Sequence, residues 1–360
     1  MVSRKKPQLS PHIAQKSDLF DALPDDLVLS ILCMLSSAAN SPSDVVSVRI
    51  TYAACKRLNR LAVHPLVLRN AGLKAFDIKA GNWSASAERF LEQCASAGNV
   101  EAVYTLGVVR FYCLENRKSG ISLMVKAALK AHALATYSMA VILFNSYGDP
   151  NYIKNYLRVA AKLCARAASL GHVDALRDLG YRLDRGHGLP RNVLTGRRLL
   201  ERANALELSA ALRRFFTSQE KYPTPWPSPH IFRQILEPKH ADHLHHFIVA
   251  LENWPLTGRS LQLFRRRFGG DLPLQSECGS DVSGPDPHPA NRFLVGWFRL
   301  RSGSLAPGLR VCSHGWCGRP EIRPNEFYLC GACNEVYYCS RGCQVLDWKT
   351  GHHAQCSPAH

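Results

Sequence analysis

The sequence predicts a mainly α-helical fold in three parts: a short amino-terminal bundle of three helices, an α-solenoid of helix–turn–helix repeats, and a small metal-stapled module at the carboxy terminus. Three observations predict it. One segment near the start carries apolar residues on two faces of a single helix. An alanine-rich stretch repeats itself at spacings of 33 and then 40 residues. Seven of the thirteen cysteines fall between Cys312 and Cys356.

Bulk properties narrow the field. At 360 residues the chain has length for two or three domains, each with a core of its own. Its 46% hydrophobic and 20% charged content are those of a globular protein. No apolar run approaches the ~20 residues a bilayer span needs, and MVSRKKPQLSPHIAQKSDLF lacks the apolar centre of a secretory signal. The chain is therefore expected in the nucleus or the cytoplasm, where thiols stay reduced and clustered cysteines hold metal instead of pairing. The formal charge of +17 is spread in short groups such as Arg197-Arg198 and Arg265 to Arg267. Seven thiolates (−7) and two Zn²⁺ ions (+4) would bring it to about +14. Without one basic helix face, the excess reads as a solvated surface and not as a nucleic-acid site.

Residues 1–18 are polar and Pro-containing, the composition of a disordered tail. Residues 19–75 follow as a compact apolar segment opening on FDALPDDLVLSILCML. Pro24 suits a first helical position, and Asp25 and Asp26 then face the positive end of the helix dipole. Leu27, Val28, Leu29, Ile31, Leu32, Met34 and Leu35 cover more than one face, so one side must enter this segment's own core and the other must meet something else. A second helix is expected from Ser43 to about Val48, and a third through TYAACKRLNRLAV to Val63, before Pro65. These residues resemble an F-box: Leu23, Pro24, Asp26, Leu27, Ile31 and Leu32 stand where its L-P-x-D/E-[LIV]-x-x-x-I-L pattern needs them, followed by Val45, Val46, Val48 and Cys55 to Leu61. The resemblance implies that Leu23, Pro24, Leu27, Ile31 and Leu32 dock on the Skp-type adaptor of a cullin-based ubiquitin ligase. SSAANSPSD at 36–44 lengthens the first loop relative to that pattern.

Within residues 83–217, GNVEAVYTLG, AHALATYSMA and GHVDALRDLG align from Gly98, Ala131 and Gly171. They place Ala102, Ala135 and Ala175 in one column and Leu106, Met139 and Leu179 in another. Ala127, Ala167 and Ala203 form a further small-residue column. Periods of this length belong to helix pairs that bury their faces only by stacking on neighbours, and small side chains let those helices approach closely. An ordinary alanine-rich helical domain is the plainer reading. The A-x-x-x-L-G pattern, at Ala102 to Gly107 and Ala175 to Gly180, resembles Sel-type, TPR-like repeats, with Ala140 where the middle copy should have glycine. That resemblance implies a concave protein-binding surface. Residues 218–311 read as a linker with short helices, broken by prolines and glycines, with a weak helix near 230–251 and a disordered loop at 269–289.

Residues 312–356 carry Cys312, Cys317, Cys330, Cys333, Cys339, Cys343, His352 and Cys356. Eight soft ligands make two tetrahedral sets, the requirement of structural zinc. Cys330-Gly-Ala-Cys333 is a tight knuckle, while Cys339/Cys343 and His352/Cys356, each four apart, sit on one side of a helical turn. Disulfides are the alternative, opposed by the odd number of cysteines and the ligand-spaced histidine. His353 competes with His352 for the seventh place, and His314, inside the first knuckle, is expected to be exposed. The ligand order, with CSRGCQVLDWK, resembles the MYND zinc finger, although the first pair is spaced x4 instead of x2. The resemblance implies a cross-brace in which Cys312, Cys317, Cys339 and Cys343 hold one ion and Cys330, Cys333, His352 and Cys356 the other. It also implies peptide binding near Tyr337, Tyr338, Gln344 and Trp348; alternatively these side chains are the module's own core, the reading favoured for Trp348.

Taken together, the parts resemble F-box proteins with a carboxy-terminal MYND finger. That resemblance implies a non-catalytic substrate-recognition subunit, which binds the Skp-type adaptor through the F-box and its targets through repeats and finger. The alternative is a MYND-type transcriptional co-regulator scaffold without ligase activity. The sequence shows no phosphate-cradling glycine loop, and Cys33, Cys55, Cys94, Cys113, Cys164 and Cys278 stand without a neighbouring base.

Overall fold

A computed structural model of the chain describes residues 23–39, 41, 44, 56–146, 150–219, 287–301 and 305–357. The expected tail at 1–18, the helix expected from Ser43 to about Val48, the helix near 230–251 and nearly all of the loop 269–289 lie outside the described residues. The chain divides into two compact units, Met1–Ala75 and Phe76–His360.

In the first unit, helices α1 (Asp25–Ser37), α2 (Lys56–Ala62) and α3 (Pro65–Arg69) pack together. Pro24 stands one residue ahead of α1, where its missing N–H costs no hydrogen bond, and its carbonyl accepts the Val28 amide at 3.1 Å. Asp25 faces the dipole and also ties α1 to α2, 2.7 Å from Arg57 and 3.3 Å from Arg60. Such half-exposed pairs contribute at most ~1 kcal/mol. Burial contributes more: Val28 and Leu32 pack against Leu58, Leu61, Ala62 and Val67. The two-faced character of α1 is real. Leu27, Met34 and Leu35 are 52%, 63% and 44% exposed, whereas Val28 and Leu32 are buried.

The second unit begins with seven helices: α4 (Ala85–Ser96), α5 (Val100–Tyr112), α6 (Arg117–Leu129), α7 (Ala133–Phe144), α8 (Pro150–Ser169), α9 (Val173–Arg185) and α10 (Val193–Gln219). Each packs on the next. The alanine columns are the contact points, since Ala102, Ala135, Ala175, Ala127, Ala167 and Ala203 are all fully buried. A further column precedes them. Gly98, Ala131 and Gly171 take left-handed φ of 95°, 60° and 87°. The next residues, Asn99, His132 and His172, cap α5, α7 and α9 by accepting the amides of Ala102, Ala135 and Ala175. One turn, one cap and one alanine therefore start every repeat.

The glycine of the A-x-x-x-L-G pattern, Gly107, faces a second glycine, Gly120, at a close approach of two helices. A Cβ on Gly120 of α6 would lie 2.6 Å from Phe111 Cβ and 2.8 Å from the Gly107 carbonyl of α5. Gly120→Ala is expected to destabilise the second unit by about 1–3 kcal/mol, read as a lower denaturant midpoint at unchanged slope.

Helices α5 and α7 are buried on nearly all sides, as an all-round apolar helix must be, and α9 is largely buried too although it carries Arg177, Asp178 and Arg182 inward. Part of the cover is α11 (Pro289–Leu300), which lies on α5. It is a short helix within the 218–311 segment, and it packs into the core of the second unit. Ala290, Phe293, Leu294, Trp297 and Phe298 are buried, a helical stripe at i, i+3, i+4, i+7 and i+8, with Pro289 opening the helix instead of ending a loop.

The cysteine-rich module supplies the rest of the cover. It contains a two-stranded antiparallel hairpin, β1 (Tyr328–Leu329) and β2 (Tyr337–Tyr338), followed by α12 (Arg341–Asp347). It is not a bead on a linker. Tyr338 and the cysteines share one continuous core with Tyr137, Phe144 and Leu176. Polar contacts cross the same boundary. Asn145 Nδ2 donates to the Cys339 carbonyl at 2.9 Å, Arg182 to Tyr328 Oη at 2.8 Å, and Arg323 to Ser146 Oγ at 3.2 Å. Arg182 also stacks on the Phe144 ring at 3.5 Å.

Candidate metal centre

The hairpin and its flanking turns decide where the ligand atoms go. Cys312 and Cys317 lie on a narrow loop closed by the Val311–Pro320 bridge, with the Cys312 amide donating to the Arg319 carbonyl at 2.8 Å. Cys330 ends β1, and its carbonyl accepts the amide of Asn334, which is left-handed at φ 56°, so the 330–333 knuckle turns back. Cys339 ends β2 on the other side. Ser340 caps α12 by accepting the Cys343 amide at 3.1 Å, setting Cys343 one turn above Cys339. His352 ends a π-type turn, and Cys356 follows a last helical turn.

Eight atoms thereby gather in two sets: Cys312, Cys317, Cys339 and Cys343, and separately Cys330, Cys333, His352 and Cys356. In the first, Cys317 and Cys339 sulfurs are 3.6 Å apart and Cys339 and Cys343 3.5 Å. In the second, His352 Nε2 lies 3.5 Å from Cys330 Sγ and 3.6 Å from Cys333 Sγ, with Cys330 and Cys356 sulfurs 4.0 Å apart. Thiolates about 2.3 Å from zinc sit at tetrahedron edges of about 3.8 Å, and nitrogen–sulfur edges are about 3.6 Å. The spacing fits a tetrahedral ion and is far too long for disulfides. His353 is outside the set; it meets Trp348 edge-to-face, with ring centroids 4.7 Å apart.

The ligand thiols are not electrostatically alike: burial pushes Cys312 up and raises Cys356 to about 11, and the neighbouring sulfurs push Cys343 up. Burial raises the Cys330 thiol, but the backbone N–H groups of Cys333 and Ala332, with His352, outweigh it and bring it down to about 6. Hydrogen bonds from Cys312, Cys339 and Cys343 hold Cys317 well below the ordinary thiol range. Thiolates form easily at these two positions.

Two expectations need correction. His314 is not exposed: at 6% exposure it lies 3.8 Å from Asp347 and edge-on to Trp316. Asp347 is also held by Tyr338 Oη at 2.7 Å, so His314 belongs to the module's internal frame. Trp348 is not core. It is 40% exposed, with only its edges against His352 and His353. Tyr338, in contrast, is fully buried, and Tyr337 is half-buried beneath the Arg310 guanidinium at 3.9 Å.

A third group, Glu101, His132 and His288, went unseen because its members lie on α5, at the cap of α7 and at the cap of α11. Both Nε2 atoms are 3.0 Å from Glu101 Oε2. The capping bonds decide its chemistry. Each Nδ1 accepts a backbone amide, from Ala135 and Ala290, so each Nε2 carries the proton and donates it to the carboxylate. A metal would need those Nε2 lone pairs, so this is a fastener and not a third centre. Burial alone would raise the Glu101 pKa, yet the two imidazole hydrogen bonds bring it from 4.5 to about 2. A depressed carboxylate stabilises the fold above about pH 4.5 and loses that contribution as pH falls towards 2. Glu101→Gln is expected to cost ~1 kcal/mol at pH 7, discounted for partial exposure, and only a small fraction of that at pH 2. Denaturant titration of both proteins at the two pH values checks it.

The predicted partner residues lie in the first unit. Leu27 is exposed, Pro24 exposed at the start of α1, Leu23 and Ile31 half-buried, and Leu32 buried. Met34 and Leu35 continue the exposed stripe of Leu27 and Ile31 one turn further.

Comparison with known proteins gives two regional matches. A profile described as plant tetratrico peptide repeats matches residues 76–172, and one described as MYND finger matches residues 312–356. Two Arabidopsis thaliana proteins align over nearly the whole chain. F-box protein At1g67340 is 46% identical over 349 residues, covering 97% of this chain and 83% of the relative. F-box protein At5g50450 is 44% identical over 357 residues, covering 99% and 90%.

Proposed function

Since the chain belongs to the F-box proteins that carry TPR-like repeats and a carboxy-terminal MYND finger, we propose that it is a non-catalytic substrate-recognition subunit of a cullin-based, SCF-type ubiquitin ligase. One observation carries this reading. Helix α1 buries Val28 and Leu32 and leaves Leu27, Met34 and Leu35 in water beside half-buried Ile31. A contiguous apolar stripe on so small a unit calls for a partner. The Skp-type adaptor would take Leu27, Ile31, Met34 and Leu35, with Leu23 and Pro24 at the edge. Leu32 leaves the docking set, because its side chain is already committed to the unit's own core.

In the same reading each set of four ligands holds one structural Zn²⁺, and no position is left for a reactive water. Substrate recognition shifts relative to the repeat resemblance. Helices α5, α7 and α9, which would line a concave groove, are covered by α11 and the finger. The target would instead meet outward surfaces such as that of Tyr337, Gln344 and Trp348. Such a complex would work in the nucleus or cytoplasm. Calorimetry of the folded full chain against a purified Skp-type adaptor tests the assignment. Saturable one-to-one binding is expected; no binding would overturn it and leave the co-regulator scaffold.

A further inference from the structure

Arg319 is a buried cation with no carboxylate partner among the described residues. Its guanidinium donates to Ser138 Oγ of α7 at 2.8 Å, and that hydroxyl lies 3.1 Å from Tyr104 Oη of α5. The ring of Tyr137 is 5.9 Å away. All of these partners are neutral. The nearby acids are engaged elsewhere: Glu321 accepts the amides of Arg310 and Phe327, each at 3.0 Å, and Glu326 accepts that of Ile322 at 2.6 Å. A guanidinium taken out of water costs several kcal/mol unless an opposite charge meets it.

The opposite charge stands next to it. Arg319 is two residues beyond Cys317, and its carbonyl holds the Cys312 amide at 2.8 Å. Beyond the cost of its burial, Arg319 interacts electrostatically with Tyr112, then with Cys339 and Cys317 of the four-cysteine set, then with Tyr104. Four thiolates around one dication carry a net charge of −2 in a buried site. We propose that Arg319 is the counter-ion of the four-cysteine centre: it partly neutralises the loaded site, and through Ser138 and Tyr104 it fastens that site to α7 and α5. The residue is a positioning and charge-balancing group, and metal affinity at this centre depends on its charge. The inference rests on the zinc assignment above.

The test uses the full chain with Arg319→Met and Arg319→Lys, following zinc per chain by native mass spectrometry as a chelator is added. Wild type is expected to hold two ions. Arg319→Met should release one of them at about 10–100-fold lower chelator concentration, the usual effect of losing an outer-shell partner, and keep the other at the wild-type value. Cobalt substitution identifies the lost site, because the sulfur-to-cobalt absorption that remains should be that of a three-sulfur, one-nitrogen centre. Arg319→Lys keeps the charge and should retain both ions. Equal retention by Arg319→Met and wild type overturns the inference, whereas a wild type without zinc overturns the assignment beneath it. If Arg319→Met does not fold, Arg319→Lys combined with Ser138→Ala decides: the charge remains and the hydrogen bond is gone, so loss of an ion there refutes a charge role.

Discussion

Chelation of zinc from the intact, reduced chain is expected to unfold residues 305–357 and to strip protection from α7 and α9 together. Beyond the cysteines, the finger has one fully buried aromatic of its own, Tyr338. Structural zinc supplies roughly 10–16 kcal/mol per site, as much as the whole stability of a typical domain. Without it the segment cannot offset its conformational entropy. Its loss would propagate, because the finger also covers the repeats. Asn145 would lose the Cys339 carbonyl, Arg182 would lose Tyr328, and the shared core around Tyr137 and Phe144 would open to water. Hydrogen exchange read by mass spectrometry should therefore accelerate in 133–146 and 173–185 while α1 to α3 keep their rates. A finger that unfolds with no change in α7 and α9 would show that the packing between them contributes nothing.

The second large effect concerns α1. Leu27→Asp with Ile31→Asp is expected to abolish adaptor binding, by 100-fold or more, at little cost to folding. Central apolar anchors of interfaces commonly contribute 2–4 kcal/mol each, and a carboxylate in their place adds desolvation. Leu27 is more than half exposed and contributes little to the free protein's stability, so the folding cost comes mainly from half-buried Ile31. Leu32→Ala should behave oppositely. Its side chain is 1% exposed among Val28, Leu58, Leu61 and Val67, so truncation should destabilise the first unit by about 2–5 kcal/mol and weaken binding only through unfolding. A double aspartate variant that is folded and binds as wild type would remove α1 from the interface.

Particular residues explain how much of this was legible in the sequence. Ligand spacing determines the finger, because chemistry restricts metal ligands to few residue types and the two sets interleave along the chain in the order the resemblance implies. The alanine columns were legible for a similar reason, as close helix crossings exclude large side chains at fixed intervals. The two faces of α1 were visible in its pattern, but not which face was which: Leu27 and Leu32 are the same residue type, and only the position of α2 and α3 assigns Leu32 inward. Helix α11 was missed because Pro289 resembled the end of a loop. The Glu101–His132–His288 fastener spans 188 positions, and no local pattern links its members. His314 and Trp348 were misplaced for a related reason. A small module has few interior places, and here Asp347 recruits His314 to one of them while Trp348 stays at the rim.

In the proposed reading, the second unit depends on metal to hold the finger that shares a core with the repeats. Native mass spectrometry of the full chain, with metal load read on the compact charge states, tests that directly. The account predicts two zinc ions on every compact molecule and none on the expanded ones. A compact chain whose α7, α9 and Tyr338 segments stay protected from exchange while carrying no metal would contradict it.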